Sequence, residues 1–135
     1  MKRKVIFLCM ISVFFVLGGL IILLFSIKKQ PTVGEFSLVK YQWEIENFSY
    51  NENVGEVNNS NIAIEKAKKL WFEKFSALDE KTYNSINTGK IEISYDSEEE
   101  CWHINSKKSS PNTLGGILHA LIRKNGDVIA VWSDD

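Results

Sequence analysis

Residues 117–133 read ILHALIRKNGDVIAVWS. Two apolar runs flank Asn125-Gly126, and an Asn-Gly pair in that setting is the strongest short hairpin signal, because both residues tolerate positive φ. The two-residue turn places Lys124 opposite Asp127, Ile122 opposite Ile129 and Ala120 opposite Val131. Successive strand side chains point to opposite sides. Leu118, Ala120, Ile122, Ile129 and Val131 therefore form one wholly apolar face, expected to receive a helix. The other face pairs Arg123 with Val128, Leu121 with Ala130 and His119 with Trp132. It is mixed in character, so His119, Arg123 and Trp132 are the candidate residues for a partner or a shallow pocket.

Upstream of the hairpin, Gly115-Gly116 follows Pro111-Asn112-Thr113-Leu114. Paired glycines at a strand entry permit a bulge, a sharp bend or the close approach of another backbone. Ile91, Ile93 and Tyr95 alternate with polar residues, as do Trp102 and Ile104, and Glu98-Glu99-Glu100 lies between them as a charged turn. That is the period of two half-buried strands. Ser106–Asn112 reads as a polar loop.

Between Asn61 and Leu78 the period becomes helical. Ile64, Ala67, Trp71, Phe75 and Leu78 fall three and four apart, with Leu70 widening the stripe. Ser60 or Asn61 is placed to cap the first free amides. Asp79–Lys90 and Asn47–Ser60 read as loops. Val39, Tyr41, Trp43 and Ile45 alternate with Lys40, Gln42, Glu44 and Glu46, the pattern of a strand or of an extended segment laid over the domain. Gln30–Phe36 reads as a linker.

At the other end of the chain, Val5–Ile27 contains no charged residue, with Lys2, Arg3 and Lys4 before it and Lys28 and Lys29 after it. A hydrocarbon core about 30 Å thick takes roughly 20 helical residues. A secretory h-region is shorter and ends in small residues. The expectation is an uncleaved single-pass anchor through residues 5–27, with the C-terminal domain on the extracytoplasmic side by the positive-inside rule. The organisation read from this is an anchor at 1–29, a linker with a possible extra strand at 30–57, and a domain at 58–135.

All seventeen acidic residues lie beyond Pro31, against eleven basic ones, so this part carries −6 although the whole chain carries −1. A nucleic-acid binder shows a basic surface, and that class is disfavoured. An acidic surface suits solubility or a basic protein partner. Cys9 and Cys101 lie on either side of the expected anchor boundary and imply no disulfide framework or zinc spacing. Phosphate-binding glycine loops, metalloprotease motifs and nucleophile elbows are lacking. His103 and His119 sit on different strands with no third metal ligand implied by spacing. No metal, cofactor or small-molecule substrate is expected, and no catalysis.

The order of four segments carries a resemblance. Ala63-Ile-Glu-Lys-Ala-Lys-Lys-Leu-Trp71, Cys101-Trp-His-Ile104, Pro111-Asn-Thr-Leu-Gly-Gly116 and Ile122-Arg-Lys-Asn-Gly-Asp-Val-Ile129 together resemble the NTF2-fold immunity proteins of bacterial polymorphic toxin systems. The match covers about residues 55–135. Where family members often carry Gly-x-Leu-Pro, this chain has Asn105–Pro111. The resemblance implies a non-enzymatic protein that neutralises a cognate toxin, with Trp71, Trp102, Gly115, Gly116 and Gly126 as structural positions.

The expected fold class is α+β: an N-terminal transmembrane helix, then one long helix packed on a curved antiparallel sheet of about four strands, NTF2-like or cystatin-like. The expected function is a membrane-anchored immunity protein for a cognate toxin, possibly a basic one. Two alternatives remain. One is a tethered ligand-binding or enzymatic domain whose pocket is lined by Tyr95, His119, Arg123 and Trp132. The other is an envelope accessory protein.

Overall fold

The computed structural model describes residues 31–75, 86, 89–106 and 116–134. Strand β1 (Val33–Glu35) leads to a single 3₁₀ turn (Leu38–Tyr41), helix α1 (Gln42–Asn47) and strand β2 (Ser49–Asn53). Helix α2 (Ser60–Phe75) follows, then strands β3 (Ile91–Asp96), β4 (Cys101–Ser106), β5 (Leu118–Arg123) and β6 (Asp127–Ser133). The six strands form one sheet in the order β1-β3-β4-β5-β6-β2. Pairing is antiparallel except for β1, which runs parallel to β3.

The expected architecture does not stand: the described residues are mostly sheet, with two short helices of six and sixteen residues in place of one long helix. The sheet is mixed and six-stranded rather than antiparallel and of about four strands. Both additional strands are edges made of residues that carry little strand signal. β1 lies in the stretch read as a linker and β2, Ser-Tyr-Asn-Glu-Asn, in the stretch read as a loop. Among the described residues no helix is long and apolar enough to cross a membrane. The apolar run Val5–Ile27, on which the transmembrane helix was expected, lies outside the described residues.

The segment at Val39–Glu46, expected as a strand or as an extended segment laid over the domain, does lie over the sheet but is helical. Two periods overlap there. Val39, Tyr41, Trp43 and Ile45 alternate, but Leu38, Tyr41, Ile45 and Phe48 fall at spacings of three, four and three. The second set is the one that packs against the sheet, so the helical period prevails. Asp96 fixes the segment's start: its carboxylate accepts from the Leu38 amide at 2.7 Å and from the Glu98 and Glu99 amides at 3.0 and 3.1 Å.

On the opposite face, α2 lays Ala63, Ala67, Leu70 and Trp71 on Ile93, Trp102, Ile104, Leu118, Ala120, Ile122, Val128 and Val131. Ile86, expected in a polar loop, is buried in this core. Burying a tryptophan requires a partner for its indole N–H. Trp71 donates to the His119 carbonyl at 3.1 Å, and Trp102 donates to that of Val57 at 3.0 Å. The start of α2 is capped by Asn59, whose side-chain oxygen accepts from the Ile62 amide. Neither Ser60 nor Asn61 does this.

The hairpin register agrees with the sequence over its outer half and departs at the turn. His119 faces Trp132, Ala120 faces Val131 and Leu121 faces Ala130, but Ile122 faces Val128. Within the turn only Gly126 takes positive φ (+96°), and its amide donates to the Arg123 carbonyl. The loop is thus Lys124-Asn125-Gly126, one residue longer than the two-residue turn. Ile129 becomes the extra residue of a bulge. The consequence is a correction to the apolar face: Val128 occupies the α2-side core, and Ile129 packs on the other side of the sheet.

Candidate functional site

The mixed face of the β5–β6 hairpin is where the sequence placed His119, Arg123 and Trp132. The structure keeps the three on that face but does not leave it open. The 3₁₀ turn and α1 lie across it, bringing Phe36, Leu38, Tyr41, Ile45 and Phe48 onto Cys101, Leu121, Ala130 and Trp132. His119 is 9% exposed, Trp132 4% and His103 5%.

Beneath this cover the two histidines meet. His103 on β4 pairs with Leu121, two residues from His119 on β5, so the rings are diagonal neighbours on one face. His103 Nε2 lies 3.0 Å from His119 Nδ1, and His119 Nε2 lies 3.0 Å from Asp134 Oδ2. A carboxylate only accepts, so His119 carries its proton on Nε2 and its Nδ1 must accept. His103 then donates from Nε2. The proton order is fixed: His103 to His119 to Asp134. The Trp132 indole donates to the other Asp134 oxygen at 3.1 Å, and its ring stacks on His119 at 4.6 Å with an interplanar angle of 3°. Phe36 and Tyr41 close the His103 side at centroid distances of 5.4 and 4.8 Å.

Burial sets the charge state of this chain of groups. Desolvation pulls His103 down to about 4, helped by the neighbouring His119 and opposed by Asp134. His119 is lowered too, mainly by desolvation, with Asp134 acting against the shift. Both rings are neutral near pH 7. Desolvation pushes the buried Cys101 thiol on the same face up to about 12, beyond what the Arg123 charge offsets. It is held as a thiol and is no nucleophile. The network is internally satisfied: among the described residues no buried side-chain nitrogen or oxygen lacks a partner. No group of three metal-ligating residues occurs among them.

Arg123 lies at the rim. It donates to the Glu99 carbonyl at 2.8 Å and pairs with that residue's carboxylate at 3.4 Å. Tyr95, the fourth residue of the alternative pocket, is on the other face, packed against Trp102 at 4.4 Å. The four residues do not converge. Among the described residues two open depressions lie beside β1 and at the β3 end, lined by residues such as Thr32, Ile91 and Asn105, and Glu35, Tyr95 and Glu98. Neither reaches an imidazole.

Of the structural positions, Trp71 and Trp102 are core residues, and two glycines have clear reasons. A Cβ on Gly116 would overlap the Asp134 carbonyl, so glycine there lets the chain end lie beside the β5 entry, with the Asp134 amide donating to Ile117. This close approach carries Asp134 to His119. A Cβ on Gly126 would come within 2.5 Å of the Gly55 carbonyl. Gly115 lies outside the described residues.

Sequence reasoning missed Asp134 and the outer face of α1. Asp134 has no motif, and its role follows from its position two residues beyond Trp132. The outer side of the 3₁₀ turn and α1 carries Val39 and Trp43, 69% and 63% exposed. Their helical separation of four was the available signal, hidden by the competing alternation.

Comparison of the chain with protein-family models, with curated proteins and with solved structures finds no match.

Proposed function

We propose that this chain is an immunity protein: it binds a cognate bacterial protein toxin and neutralises it stoichiometrically, without chemistry of its own. The observation that carries the reading is the state of the imidazole cluster. His103, His119, Asp134 and Cys101 are the groups from which a catalytic site on this face would be assembled. The two rings are neutral and buried under Phe36, Tyr41 and Trp132, with His103 Nε2 and both His119 nitrogens partnered within the cluster; Cys101 is buried as a thiol, and Asp134, itself exposed, is engaged by His119 and Trp132. The resemblance in the segments around Trp71, Trp102, Gly116 and Gly126 supports the same reading, as does the acidity of the chain beyond Pro31. Action at the cell envelope, with this part of the chain outside, belongs to the proposal through the basic flanks of the apolar run.

The test is co-expression of the full chain with the product of the gene immediately upstream, scored by survival. Rescue by the full chain is expected. Loss of rescue on deleting residues 1–29, with the shortened protein still accumulating, places the toxin's action at the envelope. A toxic upstream product that the full chain fails to rescue contradicts the proposal.

A further inference from the structure

We infer that the outward face of the cover segment, centred on Trp43 and Val39, is the surface that docks a basic protein partner. The inference rests on the immunity reading and names the surface and the chemistry through which it acts.

Leu38, Tyr41, Ile45 and Phe48 turn inward onto the sheet. In a helical segment advancing about 100° per residue, the direction opposite to those four is occupied by Trp43, with Val39 one turn before it. Both are apolar, both are exposed, and they are two of only three large apolar side chains so exposed among the described residues. An isolated exposed valine needs no explanation. An exposed tryptophan beside it on a helix pinned from below is different, because tryptophan supplies large contact area with few rotors to immobilise and is enriched among residues that dominate interfaces. Trp43 is also held: its ring meets Phe48 edge-on at 5.7 Å, and its carbonyl accepts from Asn47.

Charge specifies the partner. The stretch from Pro31 to Glu56 carries five carboxylates (Glu35, Glu44, Glu46, Glu52 and Glu56) against the single amine of Lys40. Helix α2 carries Lys66, Lys68, Lys69 and Lys74 against Glu65 and Glu73. Helix α2 does not supply the acidic excess: the stretch that bears Trp43 contributes a net −4, and residues 92–100 add five further carboxylates with no basic residue among them. Among the described residues neither Glu44 nor Glu46 has a basic partner. An aromatic anchor with unneutralised carboxylates around it fits a basic protein surface, attracted at long range and held by Trp43 at contact.

The experiment uses the full chain, wild type and Trp43→Ser, with the upstream gene product as probe. Survival is scored in cells, and affinity is measured with detergent-solubilised protein. Because Trp43 lies outside both cores, the melting temperature of the variant should match that of the wild type. Its affinity should fall by about 30-fold or more, and rescue should weaken. Glu44→Gln with Glu46→Gln should slow association and flatten the salt dependence between about 0.05 and 0.5 M. Wild-type rescue with undiminished Trp43→Ser affinity overturns the surface while leaving the immunity reading intact. Failure of the wild type itself overturns both. Trp43-dependent self-association, or Trp43-dependent sedimentation with phosphatidylglycerol vesicles, in place of that binding would give the face to a second copy or to lipid, and also overturns the proposal.

Discussion

His103 contributes to stability by remaining uncharged. Its folded value of about 4 lies below the ordinary histidine value, because burial under Phe36 and Tyr41 opposes the charged form. In the unfolded chain the ring takes up its proton as pH falls through about 6.5; in the folded chain it does so only near 4. The unfolded state thus binds more protons in that window, and stability falls as pH is lowered from about 6.5 to 4. The full effect is about 3 kcal/mol from this ring, and the lowered His119 acts in the same direction. His103→Gln keeps a donor for His119 without titrating. The variant should show a shallower loss of melting temperature between about pH 7 and 4.5 than the wild type; equal slopes would place the pH sensitivity elsewhere. Asp96 acts at lower pH. The Leu38, Glu99 and Glu98 amides hold its carboxyl below the usual range, so its contribution is present above about pH 4 and lost below it. Gly126→Ala should cost about 1–3 kcal/mol, since an alanine there meets both the +96° φ and the Gly55 backbone. Arg123→Ala should cost under about 1 kcal/mol, because its ion pair with Glu99 is exposed. Denaturant melts separate these two outcomes.

The elements show how far periodicity carries. Helix α2 was legible because its stripe is uncontested, strands β3 and β4 because Ile91, Ile93, Tyr95, Trp102 and Ile104 alternate with polar residues, and β5 and β6 because two apolar runs flank Asn125-Gly126. The 3₁₀ turn and α1 were not, since residues 38–48 satisfy two periods and only the presence of the sheet face beneath decides between them. Edge strands β1 and β2 left almost no signal: the burial pattern that marks a strand in sequence fades where both sides meet solvent. The outer pairs of the hairpin were legible from Asn125-Gly126, but not the three-residue loop and the Ile129 bulge, which offset one another. This difference has a sharp consequence. Val128→Asp should unfold the domain, as should Ile122→Asp, since each puts a carboxylate in the α2-side core. Ile129→Asp, half-buried against the cover, should cost distinctly less. If Ile129→Asp and Val128→Asp were equally damaging in thermal melts, the bulge would be misplaced. Ile45→Asp should loosen the cover while sparing the α2-side core, seen as a changed near-ultraviolet signal from Trp132 with far-ultraviolet helicity largely retained.

For the molecule as a whole, the sheet serves two layers of unequal kind. One side is an apolar core under a 16-residue helix. The other is a thinner layer in which aromatic rings enclose a polar relay, and a short helix shields it while presenting Trp43 outward. The sequence located the polar face but could not show that it is closed, because the residues that close it lie some seventy positions upstream. The charge asymmetry, by contrast, was open to reading from composition alone. Composition does not show where it lies: Glu44 and Glu46 fall on the cover helix, and five further carboxylates lie within residues 92–100. Under the proposed immunity function, the cover that buries the imidazoles is also the surface that meets the partner. The most direct test is titration of the purified upstream toxin's activity with the full chain. Loss of activity in proportion to added chain, complete at a fixed stoichiometric ratio and reversed by dissociation with the toxin unaltered, is the result predicted. Inactivation by substoichiometric chain, with a covalent change in the toxin, would contradict it.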